Sequence, residues 1–414
     1  MHGALQRCPR ALAPSRPHSS RCQRPVVIRG VIRGRLRVAA EKRDVSADAL
    51  SNQVGSVDGT VDLLRSVVVQ TGVEQRKDAS FKDANFPIDA EGRTLHLGTK
   101  RGEVANRVLS VGSMDRALMV AGMLDPPRPG APLFQHLSGR GFLTVTGRFQ
   151  GTPVSVVTTL MGMANMDFVV RECRSAADGQ MAVVRLGTCG ALRPPAKLGD
   201  LLVAAEGAVC VRRDPDAWTL NDGRPRYAAS APVKPDALLT ALLAAACERE
   251  VGPDRVVCGL DATADSFYGS QGRTGGPFDD GNESLIDELL AARPELISLE
   301  METFQLLHLA ACSGGSVVGA AFCIALAERY SNRFLDGPTV HERELQGGRA
   351  ALAALVGMPL QDDASTLNGG SPHARPSGGY VWEAGYDEAG GGGGAAQVLE
   401  GIRRAEQALA DGRR

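Results

Sequence analysis

Between residues 91 and 360, short valine-rich apolar runs alternate with longer stretches in which apolar side chains recur at helical spacing. The short runs, at 108–111, 142–149, 153–159, 182–186, 201–209, 256–260, 296–299 and 317–327, have the length and β-branched content of buried strands. The intervening segments 115–124, 163–176, 235–250, 283–292, 303–313 and 342–355 carry apolar residues at three- and four-residue intervals and predict helices. This alternation predicts one α/β domain around a mostly mixed sheet, with any site where strands end and helices begin. No internal repeat is visible. The longest apolar run, 317–327, is shorter than the roughly 18–20 residues that cross a bilayer, so no membrane partner is expected.

The flanks read differently. Residues 41–90 are polar and irregular and predict a linker or disordered arm. Residues 361–414 form a Gly-rich, low-complexity tail with a five-glycine run at 390–394, from which no structural role is expected. Residues 1–40 hold nine arginines and no lysine, aspartate or glutamate. That composition, without the apolar centre of a secretory signal, resembles an organelle transit peptide and predicts a chloroplast, with the mitochondrion or cytoplasm as alternatives. Lys+Arg 46 against Asp+Glu 47 leaves a formal charge of −1, and the domain without its basic leader is mildly acidic, so no nucleic-acid partner is expected. The nine cysteines form no CxxC pair and read as reduced thiols, and no metal-ligand set is visible.

No phosphate loop of the GxxxxGK[ST] type and no GxGxxG follows a strand. Three Gly-plus-Arg turns at strand ends stand out instead: Gly112 with Arg116, Arg140, and Arg185 with Thr188 and Gly190. Glycine lets a backbone approach an oxyanion, and guanidinium groups offer forked donors suited to phosphate. Each turn alone is equally an ordinary strand-to-helix connection. A second cluster, Phe267-Tyr268-x-x-Gln271-x-Arg273, combines an aromatic face with an amide and a guanidinium and suits a planar ring with carbonyl and imide edges, or else caps a helix with Phe267 buried. A third, Glu300-Met301-Glu302, sits where a strand meets a helix. Its carboxylates could bind a vicinal diol or merely complement the helix dipole.

In this order the pieces resemble the uridine phosphorylase branch of the nucleoside phosphorylase family, over about residues 96–355. The resemblance implies a single three-layer α/β domain, at about 91–360, whose mixed central sheet is flanked by helices. It implies phosphate binding by Gly112, Arg116, Arg185 and Thr188, with Arg140 donated across a dimer, and base binding by Gly190, Phe267, Gln271 and Arg273. Ribose would be held by Glu300, Met301 and Glu302, with His96 reaching a neighbouring subunit's sugar. The implied reaction is reversible phosphorolysis of uridine to uracil and ribose 1-phosphate, with Arg116, Arg185, Thr188, Gln271, Arg273 and Glu302 as the catalytic set. Inorganic phosphate is then a co-substrate, no cofactor is needed, and the active unit is at least a dimer, the family's hexamer being the larger option. Four places depart from the family pattern: Leu160 stands where a glycine is found near the sugar and phosphate, Met163-Ala164 stands where a Pro-Ser opens the next helix, Glu328 replaces an asparagine, and Gly141 replaces a cation-binding glutamate, so no monovalent cation is expected. Because purine phosphorylases place an acid near Glu328, a purine or broad-specificity phosphorylase, or a nucleosidase, is an alternative. A storage-type homologue without activity is another.

Overall fold

The computed structural model describes residues 80–360, 376 and 378–386. The basic leader 1–40, the linker up to residue 79 and the remaining tail positions lie outside the described residues. The valine-rich runs become strands because β-branched side chains pack well on a pleated, half-buried surface. The N-terminal half contains β1 (Arg107–Val111), α1 (Met114–Ala121), β2 (Phe134–Leu137), β3 (Leu143–Phe149), β4 (Thr152–Thr158), α2 (Met163–Ala176), β5 (Met181–Ala191) and β6 (Leu201–Arg213). The chain continues through α3 (Asp216–Thr219), β7 (Tyr227–Ala229), α4 (Ala237–Val251), β8 (Val256–Ala264) and α5 (Leu285–Ala292). It ends with β9 (Leu296–Glu300), α6 (Thr303–Cys312), β10 (Val317–Glu328), β11 (Arg333–Phe334) and α7 (Gly337–Gly357). No helix among the described residues is long and apolar enough to cross a membrane.

All strands join one mixed eleven-stranded sheet. Five of them close on themselves: β10 pairs parallel with β5 and antiparallel with β6, β6 with β8 and β8 with β9 run parallel, and β9 returns antiparallel to β5. The small residues Cys189, Ala191, Cys323 and Ala325 pack together with Leu202 and Ile297 in a cluster drawn from these strands. From β5 the sheet extends through parallel β1 and β4 to antiparallel β3 and β2. Apolar residues of α1, α4 and α7 form one core with one set of strand side chains, including Leu118, Leu243 and Leu352. Those of α2 and α6, including Met166, Val169 and Leu306, form a second. The expected layering of helices about a mixed sheet is thus present.

The expected strands and helices all appear, and the differences lie in short or capped elements. The pattern did not mark β2, β7, β11 or α3, each of four residues or fewer and too short to establish a period. Helix α7 starts at Gly337 rather than near 342, because the Asp336 carboxylate caps the Thr339 N–H at 3.0 Å and Pro338 suits the first turn. Part of the tail also departs from expectation. Among residues 378–386, Tyr380 donates to Asp178 at 2.7 Å, Tyr386 donates to the Asp125 carbonyl at 2.9 Å, and the Trp382 carbonyl accepts from Arg148 Nε at 2.9 Å. Three aromatic residues in a Gly- and Pro-rich stretch supply the anchoring surface that the composition as a whole lacks.

Candidate active site

The C-terminal ends of β1, β5 and β9 and the loop after β8 surround one cavity of about 280 Å³, close to the lower end of small-ligand pockets. Gly112 and Arg116 enter from the turn between β1 and α1, where the Ser113 hydroxyl caps the Arg116 N–H at 3.3 Å. Arg185, Thr188 and Gly190 come from β5, Glu300, Met301 and Glu302 from the β9–α6 junction, and Phe267, Gln271 and Arg273 from the loop after β8. Leu160 and Met161 close the side between β4 and α2.

The guanidinium of Arg116 is aimed by a residue not singled out in the sequence. Glu344 of α7 accepts from Arg116 Nε at 2.8 Å and Nη2 at 2.6 Å, which leaves the Nη1 edge turned toward the strand ends, 3.5 Å from the Leu186 carbonyl. Arg185 is more enclosed. Its Nη2 pairs with Glu302 and, at 2.9 Å, with Glu300, while Nη1 contacts Cys323 Sγ at 3.0 Å and Thr303 Oγ1 at 3.4 Å. Burial alone would lower its pKa, and the facing Glu300 carboxylate, with Glu302 behind it, holds it well above the ordinary arginine value instead. A Cβ at Gly187 would collide with this guanidinium, which explains a glycine inside a strand.

Burial opposes ionisation of both acids. Glu300 is nevertheless held below its ordinary value by Arg185 and by hydrogen bonds from Asp261, Thr263 and the Glu302 N–H, whereas burial and the charge of Glu300 push Glu302 up against the pull of Arg185. The Glu302 carboxylate also accepts from the Gly162 N–H. That amide is presented by a turn in which Leu160 itself adopts a left-handed φ of 59°, the conformation a glycine would take without strain.

On the opposite side the Arg273 guanidinium lies 4.0 Å over the Phe267 ring, and its Nη2 donates to Gln271 Oε1 at 3.3 Å. Two further residues that the sequence reading did not assign hold this loop. Arg329 donates to the carbonyls of Gln271 and Gly272 at 2.8 and 3.0 Å, and the Asn282 amide donates to the carbonyls of Gly269, Arg273 and Tyr268 at 2.8, 3.2 and 3.3 Å. Burial and the neighbouring Arg273 bring Arg329 down to about 10, so it stays cationic at neutral pH. Its stem packs against Gly190, where a Cβ would lie 2.8 Å from Arg329 Cγ. An Arg beside a strand end gives a weak sequence signal, and an isolated Asn gives none.

Glu328 does not face the cavity as the acid of a leaving base should. Its carboxylate accepts from Ser331 at 2.5 Å, Leu198 N–H at 3.1 Å and Arg333 Nη2 at 2.5 Å. His96 and Arg140 are also not among the residues lining the cavity of their own chain. His96 stacks on Phe168 at 3.7 Å with its Nδ1 2.6 Å from Glu172, and Arg140 sits in the β2–β3 turn, its N–H 3.3 Å from the Ser138 hydroxyl.

A cavity with two inward guanidinium groups at strand ends, paired carboxylates and an amide–guanidinium edge over an aromatic ring defines an α/β site for a small polar ligand carrying both an oxyanion and a planar ring. Residues 106–355 match the model of the Phosphorylase superfamily, and the chain belongs to that family. It is 32% identical over 256 residues to a uridine phosphorylase of Thermococcus kodakarensis, covering 61% of this chain and 84% of the relative. It is 30% identical over 224 residues to a DeoD-type purine nucleoside phosphorylase of Anoxybacillus flavithermus, covering 53% and 82%. Among solved structures, a uridine phosphorylase of the oomycete Phytophthora capsici aligns with a TM-score of 0.65 at 38% identity, over 68% of this chain and 100% of that one. The chain is thus a homologue of uridine and purine nucleoside phosphorylases.

Proposed function

We propose that this protein catalyses the reversible phosphorolysis of uridine to uracil and ribose 1-phosphate. The observation that carries the reading is the Gln271–Arg273 pair lying over Phe267 in the same cavity as Arg116, Arg185, Thr188 and Glu302. An amide beside a guanidinium matches the carbonyl and imide edge of a pyrimidine. Phosphate on Arg116, Arg185 and Thr188 attacks the anomeric carbon as the glycosidic bond loosens, and the base departs as a delocalised anion stabilised by Gln271 and Arg273. Donors fixed in place before the reaction lower such a barrier by several kcal/mol. Glu302 takes the sugar hydroxyls, over Met301, while Glu300 behind it holds Arg185 and the Glu302 and Thr303 N–H groups.

Because Arg185 is paired with Glu302, an arriving oxyanion takes over part of the guanidinium and releases carboxylate oxygens to the ribose. Diversion of Glu328 onto Arg333 and Ser331 removes the feature that favoured a purine substrate. His96 and Arg140 serve a neighbouring subunit's site in this reading, which makes the active unit at least a dimer. Residues 1–40 are a transit peptide for a chloroplast, so the protein isolated from its own cells should begin near Glu41 by N-terminal sequencing.

The decisive assay follows base release from uridine, thymidine and inosine, each with and without phosphate. Uracil released only with phosphate supports the proposal. Cleavage of inosine would replace it with a purine phosphorylase, release without phosphate with a nucleosidase, and no release with a storage-type homologue.

A further inference from the structure

Three buried acids and one arginine meet beside the cavity: Glu300, Glu302 and Arg185, which line it, and Asp261 on β8, which lies behind them. Asp261 is 1% exposed and has no place in the phosphorolysis described above. A register slip between β8 and β9, from Leu260 opposite Leu296 to Asp261 opposite Ser298, brings it there.

Thr263 Oγ1 accepts from the Phe304 N–H at 2.7 Å and lies 2.5 Å from Glu300 Oε1 and 3.2 Å from Asp261 Oδ2. A hydroxyl has one proton to give and two lone pairs. Glu300 also accepts from the N–H groups of Glu302 at 2.8 Å and Thr303 at 3.1 Å and pairs with Arg185 at 2.9 Å, the surroundings of an ionised carboxylate, so the Thr263 proton belongs to Glu300. Asp261 Oδ1 accepts from the Ser298 hydroxyl at 2.6 Å. Its Oδ2 then faces the remaining lone pair of Thr263, and two acceptors are reconciled only if Asp261 supplies the hydrogen.

We propose that Asp261 is a positioning residue that stays protonated at neutral pH and, through Thr263, fixes Glu300 as the ionised partner of Arg185. The charged and titratable groups facing it are Glu300 on β9, Arg185 on β5 and Cys323 on β10, with Cys189 on β5 beside Cys323. Burial, with Glu300 next to it, pushes the Asp261 carboxyl well above its ordinary range, in agreement with the geometry. The catalytic half of this inference rests on the phosphorolysis reading, and the protonation half does not.

Asparagine reproduces the protonated acid, its oxygen accepting from Ser298 and its NH₂ donating to Thr263. Asp261→Asn should therefore keep kcat/KM within about threefold, whereas Asp261→Ala, which orphans the buried Ser298 hydroxyl and removes the donor to Thr263, should lose about tenfold or more. The basic limb that Asp261 gives the pH–rate profile of the wild type should vanish in Asp261→Asn. Stability supplies a readout without substrate. A carboxyl whose folded-state pKa is raised stabilises fully at acid pH and loses that contribution as pH rises through the folded-state value, so the Tm of Asp261→Asn relative to wild type should climb as pH rises above the ordinary carboxyl range. A Tm difference that ignores pH, or an Asp261→Asn enzyme as impaired as Asp261→Ala, would overturn the proposal. If wild type releases no base while the Tm difference follows pH, the functional reading fails and the proton assignment stands.

Discussion

Two glutamates near strand ends receive opposite surroundings. Glu300 is committed to Arg185 inside the cavity, and Glu328 at the end of β10 is committed to Ser331, Leu198 and Arg333 away from it. The Ser331 hydroxyl, with the Leu198 N–H and Arg333 behind it, brings Glu328 down to about 2 from an ordinary 4.5. A depressed carboxyl stabilises above its unfolded pKa, and the contribution is lost as pH falls through the folded-state value. Wild-type Tm should therefore fall more steeply than that of Glu328→Gln between pH 4.5 and about 2, read by circular dichroism. Glu344 acts through Arg116. Glu344→Gln keeps the shape and removes the charge, and should raise the KM for phosphate about tenfold while kcat at saturating phosphate changes little. An unchanged phosphate KM would show that Arg116 needs no such anchor.

At the scale of elements, the loop after β8 is held by Asn282 at its own far end and by Arg329 from beyond β10. Asn282 satisfies three carbonyls of residues 268–273, so Asn282→Ala should free the Gln271–Arg273 edge and lower kcat/KM for uridine about tenfold, with phosphate binding spared. Isothermal titration with phosphate alone would separate the two effects. The strands and helices that build the cavity were legible because valine runs and helical periods are local signals, and Phe267, Gln271, Arg273, Glu300 and Glu302 were legible because each stands in a short dense motif. Glu344, Asn282 and Asp261 were not. Glu344 and Asp261 act on partners set by the fold rather than by spacing, Glu344 meeting Arg116 across 228 positions and Asp261 reaching Ser298 across 37, and Asn282, 9 to 14 positions from the carbonyls it holds, stands in no motif. The aromatic anchors of residues 378–386 were hidden for a related reason, since a composition averaged over the tail conceals three residues that bind.

For the whole molecule, the positions of His96 and Arg140 outside the lining of their own cavity bear on assembly. If Arg140 completes a neighbour's phosphate site, Arg140→Ala and Arg185→Ala proteins, each inactive, should regain partial activity when unfolded together and refolded as a mixture. No recovery would argue for sites complete within one chain. The closed ring of strands has a temporal consequence. β5 is flanked by β1 on one side and by β10, the last long strand of the domain, on the other. On the ribosome its second edge stays open until Val317–Glu328 has emerged, so Arg185 cannot acquire its Cys323 neighbour before synthesis of the domain is nearly finished. A nascent chain stalled ahead of β10 would therefore present an unpaired, valine-rich edge, and the cavity would be among the last features of the domain to form.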